Sequence, residues 1–107
     1  MLYKFKSKIS SDLIMLEPHG RRMLQIMGKT PGAPGIVLPE QMSVAIAALK
    51  AAVIEEEEYR KHAIEQAQAM GEPTPHFDAI GLRQRSLPMI ELFSRCLKAN
   101  VELVWGL

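Results

Sequence analysis

Gly28-Lys29-Thr30 has the residue types found at the end of a phosphate-binding loop. In such a loop the glycines let backbone amides surround a phosphate, and the lysine reaches over it. The motif also needs an earlier glycine at position 23, which is Met23, and a helix after the threonine, where Pro31 stands. We therefore expect no nucleotide site here and interpret Gly28 as the end of a helix.

A transition-metal site would have to draw on the histidines, which are His19, His62 and His76. They lie on three different predicted elements. Glu58 and His62 are one helical turn apart with Glu65 close by, and His76 and Asp78 form a second candidate group. Neither group has the HExxH pattern of helical zinc ligands. We therefore predict no metal ligand and no cofactor.

Cys96 is the one cysteine of the chain. It falls on the apolar side of the last predicted helix, where a thiol behaves as a small buried hydrophobic group. No Gly-x-Ser-x-Gly sequence supplies an activated serine. Catalytic groups can meet from distant positions, so the sequence leaves an enzyme open, but it supports no catalytic residue.

Basic residues cluster in the first part of the chain: Lys4, Lys6, Lys8, Arg21 and Arg22. The lysines share one side of a predicted strand, because side chains alternate with a period of two. A basic strand can follow a nucleic-acid backbone, so a nucleic-acid binding module is our alternative function. Tyr3 and Phe5 lie on the other side of the strand, where we expect the protein core. Lysines on a solvent-exposed strand face also discourage edge-to-edge aggregation of sheets. The solvated face is the preferred interpretation, and nucleic acid is not the expected partner.

Arg83 and Arg85 lie near the start of the last predicted helix. They could bind an acidic group in a pocket where the loop 28–38 meets that helix, which would suit a small-molecule enzyme or carrier. They could equally pair with the acidic run Glu55–Glu58. The second interpretation is the more ordinary one.

The bulk composition indicates one globular domain over residues 1–107. The chain has 107 residues, 48% hydrophobic and 23% charged, with a net charge of +1. Residues 1–30 are net basic and residues 31–80 net acidic, an asymmetry that can guide self-association. A lone cysteine and no leader-like start predict a cytoplasmic protein. The longest nearly uncharged stretch, 30–49, contains Glu40 and three prolines, so we expect no membrane span.

Both ends of the chain are predicted to be strands. Residues 2–6 alternate bulky and charged side chains, and residues 101–105 form a β-branched and aromatic run. The apolar run 13–16 predicts a second strand in a hairpin with the first. A helix from Asp12 is the competing interpretation, which Pro18 disfavours because proline suits a first helical turn. A helix over 18–27 and a loop over 28–38 follow.

A long helix is predicted from Pro39 to about Ala69. Its first half carries apolar residues every three or four positions, and its second half carries acidic and basic residues four apart. We expect residues 54–77 to form a solvent-projecting acidic helix end and a Pro/Gly loop. The last helix either begins near Asp78 and contains Pro88 as a kink, which we favour, or begins beside Pro88 with Ser86 as its cap.

Several stretches occur together in one known family: Met1-Leu2-Tyr3-Lys4-Phe5-Lys6-Ser7-Lys8, Met23-Leu24-Gln25-Ile26-Met27-Gly28, Pro34-Gly35-Ile36, Val44-Ala45-Ile46-Ala47-Ala48-Leu49 and Glu102-Leu103-Val104-Trp105. In these stretches the chain resembles the small bacterial proteins called domain of unknown function 1840. The resemblance thins over 54–77, and the chain departs from it at 17–20, where the family has a Gly-Asp pair and no proline. It implies an independent domain, and no activity, cofactor or functional residue.

Together these observations predict an α+β domain in the order β-β-α-α-α-β, with a small antiparallel sheet built from both termini on three helices. A three-stranded sheet would leave two edges, which a symmetric homodimer could cover. We expect a non-enzymatic cytoplasmic protein that acts through protein binding or self-association, with a second copy as its first partner.

Overall fold

The structure, a computed structural model, describes residues 2–106. Its elements are β1 (Leu2–Ser7), β2 (Ser10–Leu16), α1 (Glu17–Ile26), β3 (Gly35–Val37), α2 (Pro39–Met70), α3 (Leu82–Ala99) and β4 (Leu103–Trp105). A sheet of four antiparallel strands, in the order β2-β1-β4-β3, lies against the helices. The predicted α+β class is confirmed.

The two ends of the chain meet in the middle of the sheet. Phe5 of β1 lies opposite Trp105 of β4, and Lys6 lies opposite Val104. Phe5 is fully buried and Trp105 is 2% exposed, so the inward side of this pairing is part of the core. The prediction that both termini build one sheet is therefore confirmed. Side-chain alternation along each strand explains why Phe5 and Trp105 face the core together.

The segment 28–38 is not entirely a loop, as the sequence had suggested, because it contains β3. β3 pairs with β4 through Gly35 opposite Trp105 and Val37 opposite Leu103, so the sheet has a fourth strand. A side chain at position 35 would overlap the Trp105 ring, and glycine makes the pairing possible. Three residues are too few to show an alternation, which is why the strand was missed.

The first two helices begin close to their predicted positions. β2 runs to Leu16 and α1 follows at Glu17 with Pro18 in its first turn, so the competing helix from Asp12 is wrong. α2 begins at Pro39 and ends at Met70, after which Gly71 takes the left-handed conformation that favours glycine. The predicted apolar stripe of α2 is buried at Met42, Ala45, Leu49 and Val53.

α3 contains Pro88, as in the favoured interpretation, but it begins at Leu82 and not near Asp78. Ser86 does not cap a shorter helix. Its side chain is fully buried inside α3, and its hydroxyl lies 3.4 Å from the carbonyl of Arg83. The start of the helix at Leu82 is stabilised by Glu56 of α2, whose carboxylate accepts a hydrogen bond from the otherwise unpaired Leu82 N–H.

The core lies between the inner face of the sheet and the three helices. Its large members come from strands and helices alike: Trp105, Phe5, Phe93, Met23, Leu24, Met42, Leu49, Leu82, Met89, Leu92 and Leu103. Beyond Val53, the long helix exposes large side chains such as Ile54, Tyr59 and Met70. The chain is accordingly elongated, 52 × 28 × 21 Å.

Candidate functional site

Of the predicted basic residues, Lys4 and Lys6 lie on the outer face of β1, away from the helices. Lys8 lies in the turn that follows β1, so the strand face carries two of the three lysines predicted to share it. Lys6 Nζ lies 4.0 Å from Asp12 Oδ2 on the neighbouring strand. Lys8 Nζ lies 3.6 Å from Glu102 Oε1. Lys4 forms no ion pair within residues 2–106, so it is the one lysine of this group whose charge is not compensated there.

The two arginines of the same group lie on α1, and each has an acidic partner. Arg21 Nη1 is 3.8 Å from Glu17 Oε1, one turn earlier on the helix. Arg22 Nη1 is 4.0 Å from Glu56 Oε1 on α2. The structure therefore brings four of the five basic residues near acidic ones, an arrangement that lowers the local positive potential on which nucleic-acid binding depends.

Arg83 pairs with the acidic run of α2. Its Nε and Nη2 atoms donate to the two carboxylate oxygens of Glu57, at 2.7 and 2.8 Å. These hydrogen bonds hold the pKa of Glu57 below its ordinary value, and the attraction of the guanidinium charge adds to the effect. Both side chains are largely exposed, so the pair is a surface contact between α2 and α3.

Arg85 makes a different contact, because its Nη1 donates to His19 Nε2 on α1 at 2.7 Å. The two arginines thus face different helices. An open depression of about 280 Å³ beside Arg83 is lined by α2 and by the start of α3. The loop 28–38 borders another cavity of about 560 Å³, against Tyr3, Arg21 and Trp105.

Two side chains of the sheet hold that loop in place. Tyr3 Oη accepts a hydrogen bond from the Gly32 N–H at 2.9 Å, and Trp105 Nε1 donates to the Ala33 carbonyl at 3.0 Å. Both aromatic residues also pack in or against the core. These two hydrogen bonds therefore hold the loop against the sheet at Gly32 and Ala33.

Glu56 joins α2 to the start of α3, a contact that sequence reasoning missed. One carboxylate oxygen accepts the Leu82 N–H at 2.7 Å, and the other lies 2.7 Å from Arg60 Nη2. Arg60 Nη1 also donates to the Asp78 carbonyl at 3.1 Å, and its guanidinium lies 5.1 Å from the centre of the Phe77 ring. The spacing of Glu56 and Arg60 predicts their ion pair, but no local pattern indicates the bond to a helix start 26 residues away.

The side chains suited to metal binding do not converge in the part of the chain that the structure describes. Within residues 2–106, no group of three His, Cys, Asp or Glu side chains could hold a metal ion. Cys96 is fully buried in the core, as predicted from its position on the apolar side of the last helix.

The outer face of the sheet exposes a group of aliphatic side chains. Leu2 of β1 is 55% exposed, Ile14 of β2 is 52% exposed and Leu16 is 59% exposed. Leu2 lies directly opposite Leu16, and Ile14 lies opposite Lys4. Outward positions of an antiparallel sheet are ordinarily polar, so this face is suited to contact with another apolar surface.

β2 forms one edge of the sheet and is its longest strand, from Ser10 to Leu16. Its single charged residue is Asp12. A shallow groove of about 150 Å³ separates this strand from α3 and is lined by Ser10, Ser11, Asp12, Leu13, Pro88, Glu91, Leu92 and Arg95. A long edge with little charge is open to pairing with another strand.

The fold and these surfaces define a small two-layer α+β domain whose notable features are an aliphatic sheet face and a long sheet edge. The chain belongs to the family described as domain of unknown function (DUF1840), which it matches over residues 1–105. The resemblance seen in the sequence is confirmed. No curated protein and no solved structure matches the chain. None of the helices within residues 2–106 has the length and apolar character needed to cross a membrane.

Proposed function

We propose that this protein acts by binding protein, and that its first partner is a second copy of itself. The observation that carries the proposal is the aliphatic outer face of the sheet, where Leu2, Ile14 and Leu16 are each more than half exposed. Taking a fully exposed side chain of this kind to full burial contributes about 1.5–3 kcal/mol. Because these three are a little more than half exposed, covering them would contribute roughly half of that each, a useful part of a binding free energy.

The edge strand β2 supports the same proposal. Backbone N–H and C=O groups on the open side of an edge strand are available to a partner strand. Ile14 and Leu16 lie on this strand, so the aliphatic face continues to the edge. A partner that adds a strand there would also cover part of that face.

We also place the protein in the cytoplasm and assign it no catalytic role. The chain has one cysteine and so can form no internal disulfide, and its folding therefore needs no oxidising environment. A binding role fits the contacts of the charged residues, since Arg83 and Arg85 are engaged by Glu57 and His19.

The test of self-association is the mass in solution over a wide concentration range. Sedimentation equilibrium or light scattering should give twice 12.0 kDa at high concentration and a lower average mass on dilution. A mass that stays at 12.0 kDa throughout would refute self-association.

A further inference from the structure

α3 forms one wall of the groove beside β2, through Pro88, Glu91, Leu92 and Arg95. Glu91 and Arg95 are four residues apart, so they share one helix face, and both are exposed. These two residues form the charged stripe of α3. Glu91 and Arg95 line the groove together with residues 10–13 of β2, so the stripe and the strand edge face the same side of the molecule.

We propose that a second copy docks on this side, with the two β2 strands paired antiparallel across a two-fold axis. The inference rests on the self-association proposed above and names its interface. The axis runs through the joined sheet, so the two α3 helices lie antiparallel beneath it. Glu91 then faces the partner's Arg95, and Arg95 faces the partner's Glu91.

Charge complementarity identifies a second copy, and not a foreign strand, as the occupant. Glu91 and Arg95 form no ion pair within residues 2–106, although they are four residues apart on one helix. In an isologous interface, a contact of residue i with residue j of the other copy occurs twice, so Glu91 and Arg95 would form two equivalent ion pairs across the axis. Such reciprocal pairs fix the register of the partner and disfavour other partners.

The strand edge supplies the remaining contacts. Asp12 points to the outer face, where Lys6 lies near it, and the other residues of β2 are uncharged. Pairing of the two strands places the outward Ile14 and Leu16 of each copy beside β2 of the other, which covers side chains that are now more than half exposed.

The deciding experiment is a charge exchange followed by sedimentation equilibrium. Glu91→Arg alone and Arg95→Glu alone each place like charges across the axis, so each should raise the dimer dissociation constant at least tenfold. An equimolar mixture of the two variants should form a heterodimer, and the double variant should regain the dissociation constant of the unaltered protein. Glu58→Arg, an exposed change on α2 outside the groove, is the matched control and should leave the dimer unaltered.

The outcomes separate this inference from the proposed function. If the unaltered protein dimerises and both single variants dimerise equally well, self-association stands and this interface is refuted. Circular dichroism of each variant shows whether it is folded. If the folded single variants are monomeric and their mixture stays monomeric, reciprocal pairing of Glu91 and Arg95 is refuted.

Discussion

Replacing Glu56 by alanine removes the carboxylate that joins the start of α3 to α2. The side chain of Glu56 is 13% exposed and that of Arg60 is 25% exposed, so water compensates only part of the loss. The Leu82 N–H would lose its acceptor at 2.7 Å, and Arg60 would lose its partner at 2.7 Å. A hydrogen bond to a charged group contributes about 1.5–3 kcal/mol, so we expect a total loss of about 2–4 kcal/mol in the free energy of unfolding.

The assay is equilibrium unfolding in urea followed by tryptophan fluorescence. Trp105 is the one tryptophan of the chain and is 2% exposed, so its emission reports the opening of the core. With a urea dependence of about 2 kcal/mol/M, the midpoint should fall by roughly 1–2 M. Glu56→Gln should lose less, because its amide oxygen can still accept the Leu82 N–H.

Glu57→Ala is the matched control for this prediction. Glu57 is the next residue on α2 and also contacts α3, but its partner Arg83 and its own side chain are largely exposed. We expect a much smaller change in midpoint, since exposed ion pairs contribute little. A Glu56→Ala midpoint equal to that of Glu57→Ala would refute the role assigned to Glu56.

Three further predictions concern other contacts. The carboxyl NMR signal of Glu57 should titrate below its ordinary pKa of 4.5 and return toward that value in Arg83→Gln. Because folding lowers the pKa of Glu57, the stability that comes from this pair is present at neutral pH and is lost as the pH falls through the folded-state pKa. An unaltered titration of Glu57 in Arg83→Gln would show that Arg83 does not lower this pKa. Gly35→Ala should lower the melting temperature, because overlap of the new methyl group with the Trp105 ring costs about 1–3 kcal/mol. Gly81→Ala is the control and should be tolerated, since a methyl group there makes an ordinary contact. Equal melting temperatures of the two variants would contradict the packing of Gly35 against Trp105. The protein should pass through a nucleic-acid column at low salt, because acidic side chains lie close to four of its five clustered basic residues; retention that falls steeply with salt would favour the nucleic-acid alternative.

The elements that sequence reasoning located carry their signal in neighbouring residues. The alternation over 2–6, the apolar stripe of α2 and the turn-forming Gly71 each depend on a few adjacent positions. The same local rules placed Cys96 on the buried side of α3. These elements could be predicted because their hydrogen bonds, or their buried side chains, recur at a fixed period along the chain.

The candidate site was less predictable, because it depends on contacts between distant residues. The five basic residues were recognised as a group, but the acidic partners of Lys8 and Arg22, Glu102 and Glu56, lie far away in the sequence. The groove beside β2 likewise joins residues 10–13 to residues 88–95, and neither segment by itself indicates the other.

The sequence by itself determined that the chain begins and ends in strands, that a long helix starts at Pro39, and that Pro88 can lie inside the last helix. The tertiary structure decided that residues 35–37 pair with the last strand, that α3 begins at Leu82, and that the edge of β2 faces Glu91 and Arg95. The physical reason is that secondary structure follows from periodicity over a few residues, whereas strand pairing, helix capping by Glu56 and charge compensation follow from folding that brings distant residues together.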